Sequence, residues 1–150
     1  DGSVRLSGEC KNGVTTAALN DALEVLFRAS SQRTAWSLGL IGSTSFTALA
    51  AGDTMASHSG WVETHTTYSE ANRPTWSPGV VAGGVITNGT AARFTMTSSV
   101  TIKGIFVSSD NTKGGTAGML WATGLFDSDQ VIANGEQLRI TYTITATGSS

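Results

Sequence analysis

Apolar positions along this chain keep two different periods. Between Thr15 and Ala29, the residues Leu19, Ala22, Leu23, Leu26 and Phe27 recur at the three- and four-residue spacing that lines one face of a helix. Thr15 or Thr16 offers a side-chain cap at its start, while Asn20, Asp21, Glu24 and Arg28 fall mostly on the opposite side. From Trp36 onward the period is two. Trp36, Leu38 and Leu40 alternate with Ser37 and Gly39 until Gly42-Ser43 breaks the run. Near the C-terminus Leu138, Ile140, Tyr142 and Ile144 alternate with Arg139, Thr141, Thr143 and Thr145, the pattern of a half-buried antiparallel strand with a solvated threonine face. Asn134-Gly135 before it reads as a turn.

More strands lie between. Val85–Thr87 and Ala92–Thr97 flank Asn88-Gly89, which predicts a hairpin turn between them. The sequon Asn88-Gly89-Thr90 is explained by the same turn. Val100–Ser108 is apolar on both faces and is expected to be central, and Met119–Phe126 is a further apolar strand. Phe46–Gly79 is irregular. It holds Trp61, Tyr68 and Trp76 with both histidines, and a short helix is expected around Thr54–His58. The predicted fold is all-β: an antiparallel, jelly-roll-like β-sandwich with one N-terminal α-helix and a long irregular loop. Residues 1–35 form an arm and helix belonging to the same unit, and residues 36–150 form the sandwich domain. Residues 1–13 read as an arm that a neighbour orders.

Composition narrows the function. The chain has 150 residues, 18 glycines, one cysteine and only 13% charged side chains, against about 25% in ordinary domains. Ser and Thr supply roughly a quarter of it. A net charge of -2 provides no basic footprint, so neither nucleic acid nor an anionic membrane is expected as a partner. A lone Cys10 excludes a disulfide framework within one chain and a cysteine-based zinc cluster.

Candidate chemistry is sparse. His58 and His65, with Asp53, Glu63 and Glu70 near in sequence, would be the donors of a zinc or iron site, but no diagnostic spacing exists and solvated loop histidines are the simpler reading. No nucleophile elbow accompanies the serines. Asp127 and Asp129 read as a solvated turn after Phe126 rather than as a calcium site or a hydrolytic pair. Gly114-Gly115 and Gly118 lack the Lys-Ser/Thr of a phosphate loop and read as a flexible tip. No catalytic residue, metal or cofactor is expected. Trp61, Tyr68 and Trp76, seven and eight residues apart, would form a sugar-stacking platform if exposed, although packing of the loop onto its own sheet is the commoner use.

The segments TAWSLGLIG, FTALAAGDTMASHSGWVE, YSEANRPTWSPG, IKGIFVSSDNTKGGTAGMLWATGLF and IANGEQLRITYTITA resemble small proteins from the structural modules of tailed bacteriophages and prophages. The resemblance runs from about Thr34 to Ala146 and rests on segment order, not on a catalytic signature. It implies a virion structural protein without catalytic residues. The leading expectation is a capsid decoration (cement) protein, homo-oligomeric and trimeric, bound to the major capsid protein or neighbouring virion proteins. A head-fibre or tail-fibre component touching a host receptor and a carbohydrate-binding module are the alternatives. Under the leading reading Leu19, Leu23 and Phe27 on the helix and Trp61, Tyr68 and Trp76 in the loop are the expected interface anchors.

Overall fold

Val100–Ser108, apolar at both alternating sets of positions, runs through the middle of the main sheet. In the computed structural model, which describes residues 10–147, this sheet contains β1 (Cys10–Val14), β2 (Ser37–Gly42), β5 (Val100–Ser108) and β6 (Leu120–Ile132). All neighbours are antiparallel, in the order β1-β6-β5-β2. The expected central strand is therefore central, flanked by β6 and β2. The C-terminal end of the supposed arm is β1 itself, paired with β6 from Cys10↔Phe126 to Val14↔Ala122, so it is ordered by its own chain. Residues 1–9 of that arm, and the Cys10 side chain, lie outside the described part of the structure.

Both faces of this sheet are covered. On one face Leu38 and Leu40 stand beside Val107 and Ile105, with Ala122 opposite Val107. They pack against a two-stranded ribbon formed by β3 (Val85–Thr87), β4 (Ala92–Thr95), β7 (Gln137–Ile140) and β8 (Thr143–Thr145), which contributes Ala92, Phe94, Ile140 and Ile144. The other face carries Ile41, Phe106 and Leu120 and is covered by Phe46, Leu49, Met55 and Trp61 of the long loop. Gly39 lies opposite Phe106 on this second face. A Cβ on Gly39 would sit 2.1 Å from the Phe106 ring, so only glycine lets that ring cross the neighbouring strand. Among the described residues the result is an all-β antiparallel fold with one helix and no closed barrel.

The ribbon overturns one expectation. β3 and β4 do not pair with each other: β3 pairs with β8 and β4 with β7. Asn88-Gly89 is thus a jog within one long strand, not a hairpin turn. Residues 88–91 stand opposite Thr141 and Tyr142 alone, and the Asn88 amide fills the gap in the ladder. Its Oδ1 accepts from the Tyr142 N–H at 2.8 Å, and its Nδ2 donates to the carbonyls of Ile140 at 3.0 Å and Thr90 at 2.9 Å. A side-chain amide carries the same donor–acceptor pair as a backbone peptide, which is why asparagine serves here. The turn read at Asn134-Gly135 is present. Glu136 N–H donates to Ala133 O at 3.1 Å with Gly135 at φ 83°, and the chain crosses there from β6 to β7.

The long loop is tied down by backbone bonds to the β2 edge. Leu38 N–H donates to Pro74 O at 2.9 Å, Thr64 N–H to Leu40 O at 2.9 Å and Gly42 N–H to Val62 O at 3.0 Å. These bonds remove an otherwise open sheet edge. The helix expected around Thr54–His58 does not form; Thr54 and Ser57 instead exchange both backbone hydrogen bonds in a tight turn. The Thr54 hydroxyl accepts a further bond from Ser57 N–H at 3.0 Å, which favours the turn over a helix.

Candidate functional site

Among the described residues, the helix α1 (Thr16–Arg28) carries four of the eight exposed large apolar side chains. Thr15 fixes where it starts. Its hydroxyl accepts from Ala18 N–H at 3.2 Å as the N-cap and donates to Leu120 O at 2.6 Å, while its N–H donates to Trp121 O at 3.0 Å. Ala29, in the left-handed region at φ 55°, ends the helix. Ala18 is fully buried, and Asp21, Ala22 and Val25 on the same side are half-buried. The helix therefore lays its small side on the body. Its large side faces water: Leu19 is 54% exposed, Leu23 56%, Leu26 73% and Phe27 79%. A thirteen-residue helix has little stability of its own in water and depends on tertiary packing, yet this one is held mainly through its first turn.

The three loop aromatics are placed differently. Trp61 is 1% exposed, Tyr68 2% and Trp76 5%, so their side chains have no surface to offer a partner or a sugar. Trp61 Nε1 donates to Asp53 Oδ2 at 3.0 Å, and Trp76 Nε1 donates to Tyr142 O at 3.0 Å. Tyr68 meets Phe94 edge-on at 5.0 Å between ring centroids. These residues fasten the loop to the sheet and leave the set of interface anchors, whereas Leu19, Leu23 and Phe27 remain at the surface.

Most charges near the loop are engaged in holding it. The fully buried Arg73 is bidentate to Glu63, with Nε to Oε1 at 2.8 Å and Nη2 to Oε2 at 2.7 Å. It also donates to Asp110 O and Gly115 O, both at 2.9 Å, and its guanidinium stands 5.1 Å from the centre of the Phe106 ring. Gly114 N–H donates to Glu63 Oε2 at 2.9 Å. The 114–115 segment is accordingly clamped, not a flexible tip. Lys113 Nζ donates to the carbonyls of Tyr68 and Glu70, both at 2.9 Å, and lies 4.0 Å over the Tyr68 ring. Nothing in the sequence pattern pairs Glu63 with Arg73, which stand ten residues apart in an irregular loop.

Three carboxyl or phenol groups are shifted by these surroundings. Burial, reinforced by the Glu63 charge, pushes the Tyr68 phenol well above its ordinary value. Burial opposes ionisation of Glu70, but bonds from Thr95 N–H at 2.9 and 3.1 Å outweigh it and hold the carboxyl below the usual range. The Asp110 carboxyl is lowered by the bond from Thr112 N–H at 2.9 Å.

The remaining candidates do not converge. The His58 ring stacks on Trp61 at 3.8 Å with Nδ1 3.1 Å from the Trp61 carbonyl, and His65 Nδ1 lies 3.3 Å from Glu63 O. Both are half-buried rather than freely solvated. Asp53, Glu63 and Glu70 are each held by the partners given above. Among the described residues no three His, Cys, Asp or Glu side chains are grouped to hold a metal ion. Asp127 and Asp129 are exposed but lie within β6 rather than in a turn; the register skips from Ile102↔Gln130 to Gly104↔Leu125, and Asp129 pairs with Lys103 at 2.8 Å. Among the described residues no helix is long and apolar enough to cross a membrane.

The described residues define an all-β antiparallel fold with one partly docked amphipathic helix. No protein-family model matches the chain, and no curated protein matches its sequence.

Proposed function

We propose that this protein is a structural component of a bacteriophage virion, acting as a capsid decoration protein rather than as an enzyme. The observation that carries the reading is the outward apolar face of α1: Leu19, Leu23, Leu26 and Phe27 form a contiguous patch that the rest of the described chain does not cover. Patches of this kind mark protein contacts. The segment-level resemblance to tailed-phage structural proteins supplies the context, a head shell to which a homo-oligomer, trimeric by that resemblance, binds from outside. The protein would be assembled in the host cytoplasm and carried on the released particle. Its charged groups support the same reading, because Arg73, Glu63, Glu70 and Lys113 hold loops together instead of converging on a cleft.

The test is to locate the protein on whole particles by labelled low-resolution imaging, and to measure its binding to shells from which it has been stripped. Label over the head and saturable rebinding are expected. Label confined to the tail tip would move the protein to the fibre reading, and absence from the particle would overturn the virion assignment altogether.

A further inference from the structure

We infer that the outward face of α1 is closed by the same face of further copies of this chain, so that the helices of neighbouring subunits meet on a symmetry axis. This rests on the structural-protein reading above and names the partner of the patch it identified. Leu19, Leu23 and Leu26 follow one another at intervals of four and three residues, the spacing of core positions in packed helices, with Phe27 beside them. A surface built this way is self-complementary: each leucine fits the gap between two on the facing helix.

Charge points to the same occupant. No charged residue lies within the stripe. Two carboxylates of α1 are paired inside the chain, Glu24 with Arg28 at 3.3 Å and Asp21 with Arg33 at 3.2 Å. A second copy therefore approaches without like-charge repulsion. A strongly charged partner finds no unpaired countercharge within the stripe, which leaves an apolar surface as the matching chemistry. Among the described residues, the other exposed large apolar side chains are Val62, Val80, Val81 and Val131, none of them on a helix. The α1 face is the surface of the right shape and chemistry to cover itself. The four side chains leave on the order of 500 Å² of apolar area in water. That is more than half of the roughly 800 Å² per partner in a standard interface, and the exposed residues 29–35 beside it can supply a rim.

The experiment is the mass of the full chain in solution by sedimentation velocity, at concentrations on the order of 10 μM, for the native protein and for Leu23→Glu. An oligomer that Leu23→Glu converts entirely to monomer, with unchanged circular dichroism, is expected, because residue 23 faces solvent in the single chain and glutamate is a good helix former. In a Cys10→Ser background, oxidised Leu23→Cys should form a covalent dimer and Arg28→Cys should not. A monomeric native chain, or a Leu23→Glu protein that keeps its oligomeric mass, would overturn the inference. A monomer that still binds stripped shells overturns self-association and leaves the decoration reading standing. An oligomer dispersed by Leu23→Glu but absent from particles does the reverse.

Discussion

Replacing Glu63 with Gln removes one negative charge and almost no volume, and leaves Arg73 charged in a fully buried position. Two losses follow. The attraction across the bidentate pair at 2.7 and 2.8 Å disappears, and one of the two guanidinium N–H groups meets an amide N–H instead of an oxygen. The contacts of Arg73 with Asp110 O and Gly115 O remain, but neutral carbonyls do not replace a carboxylate. Breaking one side of a buried pair costs about 3–5 kcal/mol, a large part of the roughly 5–15 kcal/mol that holds an ordinary domain folded. At 2–4 °C per kcal/mol, the melting temperature should fall by roughly 6–20 °C. The assay is urea unfolding followed by tryptophan fluorescence, with thermal melts alongside. The double variant Glu63→Gln/Arg73→Met removes the stranded charge and should recover at least about 1–2 kcal/mol relative to Glu63→Gln, although the carbonyls of Asp110 and Gly115 then lose their Arg73 donor. A loss below about 1 kcal/mol for Glu63→Gln, the size expected of a solvated pair, would refute the argument. So would a double variant whose loss is the sum of the two singles.

Further outcomes follow from the same geometry. Asn88→Ala leaves the Tyr142 N–H and Ile140 carbonyl without their partner inside the ribbon, and should cost roughly 2–4 kcal/mol by denaturant titration, with Asn88→Asp failing to restore it because Oδ cannot donate. Gly39→Ala drives a methyl into the Phe106 ring and should cost about 1–3 kcal/mol, and Gly39→Ala/Phe106→Leu should lose less than Gly39→Ala alone. Because the Tyr68 phenol is raised in the native state, the unfolded chain loses that proton first as pH rises past the ordinary tyrosine value of about 10. Stability is therefore complete below that pH and declines above it. Tyrosinate absorbance should show Tyr68 ionising together with unfolding, and Tyr68→Phe should weaken the alkaline decline. Glu70 and Asp110 act in the opposite sense: with carboxyls lowered in the fold, their contribution is present above the ordinary carboxylate range and is lost on acidification. Glu70→Gln should flatten the acid limb of a stability-versus-pH curve.

Local pattern specified much of this fold. The helix boundaries, the Thr15 cap, the central β5 and the turn at Gly135 all follow from neighbours within a few residues, where periodicity and backbone preference act directly. Two local signals are overridden, one by a distant partner and one by a competing local bond. Asn88-Gly89 has the composition of a hairpin turn, but the C-terminal strand offers both halves a better ladder and turns the asparagine into a rung. Thr54–His58 has a helical look, and the hydroxyl of Thr54 closes a tighter turn.

The candidate site divides the same way. Sequence alone grouped Leu19, Ala22, Leu23, Leu26 and Phe27 on one face of α1 by their spacing; the structure keeps the leucines and Phe27 together and turns Ala22 toward the body. Spacing could not say whether that face points inward, because the direction depends on which of two sides the body accepts. Ala18, Ala22 and Val25 are the ones that fit against it, so the leucines are left in water. The reverse holds for Trp61, Tyr68 and Trp76. Their size made them candidates for contact with a partner, but the sheet face bearing Phe106 and the core beneath the ribbon both needed covering, and the loop aromatics do so from within the chain. Burial is a property of what lies opposite a residue, and only the tertiary structure supplies that.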